Sequence, residues 1–372
     1  MDNNQCIDEL RKPDVTQTSI NGITLTALQL ACWCMKKHPA CRHSEFEHSL
    51  CLFLRQWMSD DQHFAIQTSG STGMSKQLTV SRQAMIASAR LTGRFFNLIS
   101  SETALLCLPL DFIAGKMMLA RALVLDLNLV IVEPSSNPLK QVAAGTTIDF
   151  AAMTPMQVQE CVKDPESRQK LSAIKRLIIG GAPVSQALEQ DLQTFINPIY
   201  ETYGMTETLT HIALRRINGK ERSEVFTALP EIHIKTDQRG CLVIHAPHLD
   251  EPEIITNDLV EHINPQQFRW LGRADHVINT GGIKVSPEEV EQKLENLISQ
   301  RFIIIGLPDE NFSQKVVLVI EGAPIDDVQA LMTQIETRLK PYEKPREIRF
   351  MEQFPETSAG KLKRADIQRL LK

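Results

Sequence analysis

Five short segments carry residue types that could do chemistry together. The first is Thr68-Ser69-Gly70-Ser71-Thr72-Gly73-Met74-Ser75-Lys76. Its glycines permit positive φ and close backbone approach, and its hydroxyls, amide N–H groups and Lys76 suit an anionic guest, most economically a polyphosphate. The spacing excludes a Walker loop, which needs four residues between its glycines and Lys-Ser/Thr after the second. Composition alone fits a Gly/Ser surface turn equally well. The second segment, Gly180-Gly181-Ala182-Pro183, follows an apolar run, where glycines either admit a flat ring to the backbone or simply make a tight turn. In the third, Tyr203-Gly204-Met205-Thr206-Glu207, the tyrosine offers a stacking face, the threonine a hydroxyl for a phosphate and the glutamate a hard oxygen for Mg²⁺. A packed tyrosine in a polar loop is the plain alternative. Asp258, Arg273 and Asp275 form the fourth group, which on its own reads as a surface ion pair of little energetic weight. The fifth, Thr357-Ser358-Ala359-Gly360-Lys361, is a polar loop whose lysine would ordinarily be solvated.

Taken in order, these segments resemble the motifs of the adenylate-forming superfamily of acyl-CoA synthetases, luciferases and peptide-synthetase adenylation domains. The loop from Thr68 to Lys76 resembles its phosphate-binding loop, with Ser75 where proline is usual. The resemblance implies that Thr68, Ser69, Gly70, Ser71, Thr72, Gly73 and Lys76 bind ATP phosphates, and that Gly181, Ala182 and Pro183 lie along adenine. It implies that Tyr203 stacks on adenine, Thr206 contacts the α-phosphate and Glu207 holds Mg²⁺. Thr256-Asn257-Asp258 stands where the family has Thr-Gly-Asp; Asp258 would bind the ribose, and asparagine can take the left-handed conformation that glycine favours. Arg273 would touch ribose or phosphate, Asp275 would be a hinge, Gly281 and Gly282 would enter the site for thioester formation, and Lys361 would be the adenylation lysine.

The elements that must position these groups show in the hydrophobic pattern. Candidate buried strands are 104–108, 129–132, 177–179, 241–244 and 302–305, with helical periods over 81–96 and 185–195 between them. Such alternation predicts an α/β protein with largely parallel sheets. Phe64–Gln67 and Gln77–Val80 read as short strands, which puts the first loop at a hairpin tip. Ser286-Pro287-Glu288-Glu289 is a helix start, with a capping serine, proline at the first helical position and glutamate three residues after the cap. These elements read as an α/β protein whose last hundred residues form a compact α+β unit, with a boundary near 273–275; the resemblance implies a large N-terminal α/β domain with layered sheets, residues 1–272, a hinge at 273–275 and a small mobile α+β domain, 276–372. Family members place a longer stretch before the phosphate loop, so the large domain is expected to be abridged at its N-terminus.

Composition narrows the class. With Lys+Arg 40 against Asp+Glu 45 the formal charge is −5, unlike the strongly basic domains that bind nucleic acid. Hydrophobic residues make up 42% and charged residues 23%, a globular balance. No apolar run reaches the ~20 residues of a membrane span, and the first residues lack the order of a secretory leader. The expectation is a cytoplasmic protein with reduced cysteines. Cys32, Cys34, Cys41 and Cys51, with His38, His43 and His48, lack a usual zinc spacing and read as part of a helical core, a metal site being the alternative.

The implied chemistry is activation of a small carboxylic acid by ATP with Mg²⁺, followed by transfer of the acyl group to CoA. Because the intermediate is a mixed anhydride, no Ser-His-Asp arrangement is required. The longer resemblance, through Leu108–Met118, Met153–Val158 and Tyr203–Arg215, is to the short o-succinylbenzoate–CoA ligases of menaquinone biosynthesis. Phe112, Gly204, Met205 and His211 would then line the acyl pocket. Lys116, Arg121 and Arg215 are candidate partners for a second substrate carboxylate, since arginine pairs carboxylates bidentately. The alternatives are a ligase for another aryl or aliphatic acid, with CoA or a carrier-protein thiol as acceptor, and a catalytically silent adenylate-binding protein.

Overall fold

The computed structural model describes residues 17–26, 44–67, 77–325, 327–356 and 362–372. Among them runs one 13-stranded sheet. Half of it is parallel: Gln17–Ile20, Asn128–Ile131, Thr103–Leu106, Phe150–Met153, Arg176–Ile179 and Ile199–Gly204 lie side by side in that order. Helices Ile113–Leu125, Pro155–Lys163, Pro165–Ala173 and Gln186–Leu192 supply the connections between these strands. Both faces are buried. Ala104, Leu106, Phe150 and Ile178 join one core cluster, while their alternate neighbours Leu105, Ala151, Leu177 and Ile179 join the other, as period-two side chains in a covered parallel sheet must.

The expected strands appear within a residue or two of their predicted limits, and 302–305 extends to Phe302–Asp309. The expectation of largely parallel pairing needs correction. From Ile199–Gly204 onward every pairing in the large sheet is antiparallel, through His211–Arg216, Phe226–Ala228, Gln267–Arg273, Glu253–Asn264, Cys241–His245 and His233–Thr236. No α-helix separates these strands, so the connections are too short for parallel crossovers. A second, five-stranded sheet comprises Ile283–Val285, Ile278–Thr280, Ser313–Glu321, Phe302–Asp309 and Glu347–Met351. It too separates two clusters, with Ile304, Leu318 and Ile320 on one face and Ile303, Ile305 and Val317 on the other.

Local signals account for the helix ends. Ser81 caps helix Arg82–Phe96, accepting from Ala84 N–H at 3.1 Å, and Asn97 ends it at φ 49°. Ser286 caps Pro287–Leu294 as its sequence predicts. Cys51 is buried and His48 exposed on helix Glu45–Met58; Cys32, Cys34, Cys41, His38 and His43 lie outside the described residues. Among those described, no group of three metal-ligating side chains occurs, Cys107, Cys161 and Cys241 are buried thiols in no disulfide, and no helix is long and apolar enough to cross a membrane.

Strands His63–Gln67 and Gln77–Ser81 form a separate two-stranded hairpin, paired from His63↔Ser81 to Gln67↔Gln77. Side chains hold it. Phe64 and Ile66 are buried, Ser81 bonds Asp250 through N–H and hydroxyl at 2.8 and 2.6 Å, and Lys116 Nζ donates to Ala65 O at 3.0 Å. Arg82 is the main fastener. Its guanidinium donates to the carbonyls of Trp57, Gln56, Ser59 and Asp61 at 2.5–3.2 Å and lies over the Trp57 and Phe64 rings. Truncation would remove these charge-assisted bonds, the one to the buried Trp57 carbonyl above all, so Arg82→Ala is expected to cost about 2–3 kcal/mol in urea unfolding, with Arg82→Lys restoring only part. A change within experimental error would show that the hairpin is held by packing alone.

Candidate functional site

The hairpin pairing puts the Thr68–Lys76 loop at its tip, as the flanking sequence predicts. Thr68, Ser69, Gly70, Ser71, Thr72, Gly73 and Lys76 themselves lie outside the described residues, as does Lys361. The latter is flanked by a β-bridge between Glu356 and Leu362.

The best-defined cluster gathers at strand Ile199–Gly204 and the strands beyond it. Tyr203 O–H donates to Asp258 Oδ2 at 2.7 Å, and its ring meets Phe226 and Phe268 edge-on. Burial first, then the Asp258 carboxylate, push the Tyr203 phenol far above its ordinary range. Asp258 is buried and also accepts from Trp270 Nε1 at 3.3 Å, while Arg273 Nη1 stands 3.8 Å away. Arg273 forks onto Asp275 through two bonds of 2.9 Å. Burial pushes the Asp275 carboxyl up, but the Arg273 fork outweighs it and holds the group below its usual value. Five residues from three strands and the turn after them thus share one polar node, an arrangement able to accept and orient vicinal hydroxyls.

The other wall of this site is the turn after strand Arg176–Ile179. Gly181 takes φ +93°, and Gly181, Ala182 and Pro183 are exposed. A Cβ on Gly180 would stand 2.1 Å from Thr202 Oγ1, so the two strand ends close only over glycine. Glu201, two residues before Tyr203 and on the same face of the strand, fixes the turn: its Oε1 accepts from Val184 N–H at 2.9 Å. Its Oε2 accepts from Arg215 Nε at 2.5 Å, and Arg215 also bonds Glu189, which holds Arg222 at 2.9 Å. Burial pushes the Glu201 carboxyl up, against the pull of the Arg215 guanidinium.

Thr206, Glu207 and Thr208 form one 3-10 turn. Thr208 Oγ1 ties Met205 to Thr210, and Leu209 sits at φ 63°. Gly204 is obligatory, since a Cβ there would lie 2.5 Å from Thr210 O. Glu207 is exposed, with no hydrogen bond or ion pair among the described residues. A single free carboxylate fits Mg²⁺, which is commonly held by one or two carboxylates plus substrate phosphates.

The three candidate cations separate cleanly. Lys116 is committed to Ala65 O, and Arg215 is neutralised by two buried glutamates. Arg215 is thereby closed to a substrate carboxylate, whereas Lys116 keeps its charge and two N–H donors. Arg121 differs: it is 2% exposed, donates to Thr210 Oγ1 at 3.3 Å and Met118 Sδ at 3.6 Å, and lies 5.6 Å over the Phe150 ring. Its Nε has no hydrogen-bond partner, nor does the buried Ser88 hydroxyl, and no carboxylate pairs with it among the described residues. Burial alone lowers its pKa to about 10. His211 is buried beside it, bonded to Thr92 and Thr210 hydroxyls at 3.3 and 3.1 Å. Burial, then the Arg121 charge, lower the His211 pKa to about 3, so the imidazole is neutral. Phe112 is the half-buried N-cap of helix Ile113–Leu125.

One expected conformation is absent. Asn257 does not adopt positive φ, because Thr256–Asp258 lies within the extended strand Glu253–Asn264 and needs no left-handed turn. Gly281 and Gly282 both have positive φ and join strands Ile278–Thr280 and Ile283–Val285, the requirement of a two-residue I′ hairpin. No hydrogen bond or ion pair among the described residues joins them to the Tyr203 node. Trp270 and Glu201 were not singled out by the sequence. The i, i+2 relation of Glu201 to Tyr203 is a signal for one, whereas Trp270 depends on a cross-strand register.

The family model for AMP-binding enzymes matches residues 32–245, more than half of the chain. The chain is 26% identical over 336 residues to a probable 2-succinylbenzoate–CoA ligase from Mycobacterium tuberculosis, covering 84% of this chain and 85% of that one. It is also 26% identical over 352 residues to a feruloyl-CoA synthase from Amycolatopsis, covering 83% and 70%. Among solved structures, an acyl-CoA synthetase (AMP-forming)/AMP-acid ligase II-like protein from Dyadobacter fermentans is 37% identical, covers 91% of this chain and 98% of its own, and superposes with a TM-score of 0.62.

Removing Glu201 would strand the Val184 N–H and leave Arg215 with Glu189 as its one carboxylate. Glu201→Ala is expected to lose about 2–3 kcal/mol in urea unfolding, the cost of an orphaned buried donor plus a charge-assisted bond, and Glu201→Gln, which keeps an acceptor for Val184, distinctly less. Equal losses would show that the charge alone matters and the turn contact does not.

Proposed function

The chain belongs to the AMP-binding enzymes and is an AMP-forming acid–thiol ligase, and on that premise we propose that it converts o-succinylbenzoate to its CoA thioester through an acyl-adenylate. One observation carries the choice of acid: Arg121, a buried guanidinium without a carboxylate. An uncompensated buried charge costs several kcal/mol. A substrate whose second carboxylate reaches it would discharge that cost on binding, and o-succinylbenzoate has such a group to spare. The similarity to 2-succinylbenzoate–CoA ligases over most of both chains supports the same choice. The likeness to a feruloyl-CoA synthase favours the second reading, a ligase for another aryl acid.

In the proposed mechanism a substrate carboxylate oxygen attacks the α-phosphorus of ATP. The bond to the bridging oxygen breaks and pyrophosphate leaves. Negative charge spreads over phosphoryl oxygens, so the protein acts chiefly by positioning and cation placement. Tyr203 and the Gly181–Pro183 turn would hold adenine, with Asp258 and Arg273 on the ribose. Thr206, Lys361 and the Thr68–Lys76 loop would hold the phosphates, and Mg²⁺ on Glu207 would add charge neutralisation. The thiol of CoA then attacks the acyl carbon and AMP departs. The division into 1–272, a hinge at 273–275 and 276–372 belongs to this proposal, with rotation at Asp275 exchanging Lys361 for the Gly281-Gly282 turn.

Two measurements test it. Pyrophosphate release across a carboxylic-acid panel, with product masses in the presence of CoA, should single out o-succinylbenzoate. Arg121→Gln should raise its KM about 10- to 100-fold, the loss of a charge-assisted bond, while an analogue lacking one carboxyl is little affected. Turnover of another acid with o-succinylbenzoate inert would reject the substrate and keep the ligase. Separately, Lys361→Ala should abolish adenylate formation yet pass a synthetic acyl-adenylate to CoA, and Asp275→Pro the reverse. Equal loss of both steps in each variant would reject the alternation.

A further inference from the structure

The strand that carries Asp258 is bulged at that point. Cys241 pairs with Leu259 and Val243 with Ile255, so Leu242 faces Thr256, Asn257 and Asp258 together. Bulges beside binding sites re-aim a side chain and leave backbone groups outside the ladder, and those groups need other partners. Side chains supply them here. Thr256 Oγ1 donates to Leu242 O at 2.8 Å and accepts from Asp258 N–H at 3.0 Å. Arg239 completes the set: its Nη2 donates to Thr256 O and its Nη1 to Asn257 Oδ1, each at 3.0 Å.

The arginine has a firm mount. It lies in the turn between strands His233–Thr236 and Cys241–His245, where Asp237 Oδ1 accepts from the N–H groups of Arg239 and Cys241 at 2.8 and 2.9 Å. Asp237 Oδ2 accepts from Arg239 Nε at 2.8 Å. Three acceptors around one planar fork fix its orientation as well as its place. The far side of the bulge is tied as well: Asn257 O accepts from Ala274 N–H at 2.8 Å, and Asp258 pairs with Arg273. Thr256 and Asp258 are buried, whereas Asn257 and Arg239 are exposed. Packing therefore does not dictate the residue at 257, and among the described residues its side chain bonds Arg239 alone.

We propose that Arg239 and Asn257 are positioning residues that hold the bulge in register and so aim the Asp258 carboxylate at the ribose hydroxyls of ATP. The inference rests on the reading of Asp258 as the ribose-binding group. Glycine, which stands at this place in Thr-Gly-Asp, would offer Arg239 no acceptor, so the asparagine is a fastening that this chain adds. Without the fork, Thr256 O and Asn257 turn to water and the bulge is free to slide. Because a slip of one residue turns side chains to the opposite face, Asp258 would then leave the Tyr203 and Trp270 donors.

The test uses the full chain and compares ATP with 2′,3′-dideoxy-ATP, which lacks both ribose hydroxyls. Calorimetry should show that the unaltered chain prefers ATP. In Asn257→Ala and in Arg239→Ala that preference should fall about tenfold, the partial loss of charge-assisted bonds to the ribose, with dideoxy-ATP affinity changed by less than about twofold. In pyrophosphate release the KM for ATP should rise and kcat hold. Asn257→Asp, which keeps the acceptor, should retain the preference. In an Asp258→Asn background Arg239→Ala should change the preference no further, as expected of residues acting through one group. Equal weakening of both nucleotides, or an unchanged preference in both alanine variants, overturns the proposal. If acid-dependent pyrophosphate release proceeds but the unaltered chain does not distinguish the two nucleotides, the clamp falls and the ligase reading stands. If the preference exists and the alanine variants lose it while no carboxylic acid is activated, the ligase reading falls and the clamp stands.

Discussion

One strand belongs to both halves of the large sheet, and the candidate site follows from that. Ile199–Gly204 pairs in parallel with Arg176–Ile179 on one side and antiparallel with His211–Arg216 on the other. A strand at such a switch has a neighbour's turn opening beside its end on one flank and a hairpin returning on the other. The crevice between them is where open α/β sheets bind ligands. Here the same strand carries Glu201 and Tyr203 on one face, so the turn at Gly181–Val184 and the node at Asp258 are held at a spacing set by two residues of backbone.

Charge burial separates two kinds of buried arginine. Arg215 and Arg121 are both deeply placed, yet Arg215 faces two glutamates and Arg121 faces hydroxyls, a thioether and a ring. The first arrangement is closed, since adding an anion would leave a glutamate unpaired. The second is open, and the neutral His211 beside it adds no competing charge. Burying an ion pair is roughly neutral for stability, while burying one partner alone is costly, so the open arginine marks a place where stability is given up.

What the sequence made legible was local. Serine caps at Ser81 and Ser286, the short strands around Thr68–Lys76 and the apolar runs of the parallel half depend on neighbours a few residues away, and they stand where expected. The antiparallel half was misjudged because apolar runs of similar length serve both pairings, and only connection length tells them apart. The fates of Lys116 and Arg215 were invisible for another reason. Each is decided by a partner brought in by register or tertiary packing, Ala65 for one and Glu189 with Glu201 for the other. Trp270 reaches Asp258 through the same kind of distant pairing, across a strand pair whose register shifts between Leu259 and Val260. Asn257 was read as a turn residue by analogy with glycine, when extended backbone at that point asks nothing special of it.

The hairpin of strands His63–Gln67 and Gln77–Ser81 shares no ladder with the 13-stranded sheet. Polar contacts hold its base, where Arg82 and Asp250 meet it, and Lys116 holds it partway along at Ala65. Phe64 and Ile66 sink into the core of the main body along the rest of its length. The hairpin is thus a bracket glued on by side chains, and its seat depends on the fit of those few groups and on no rung of the main sheet.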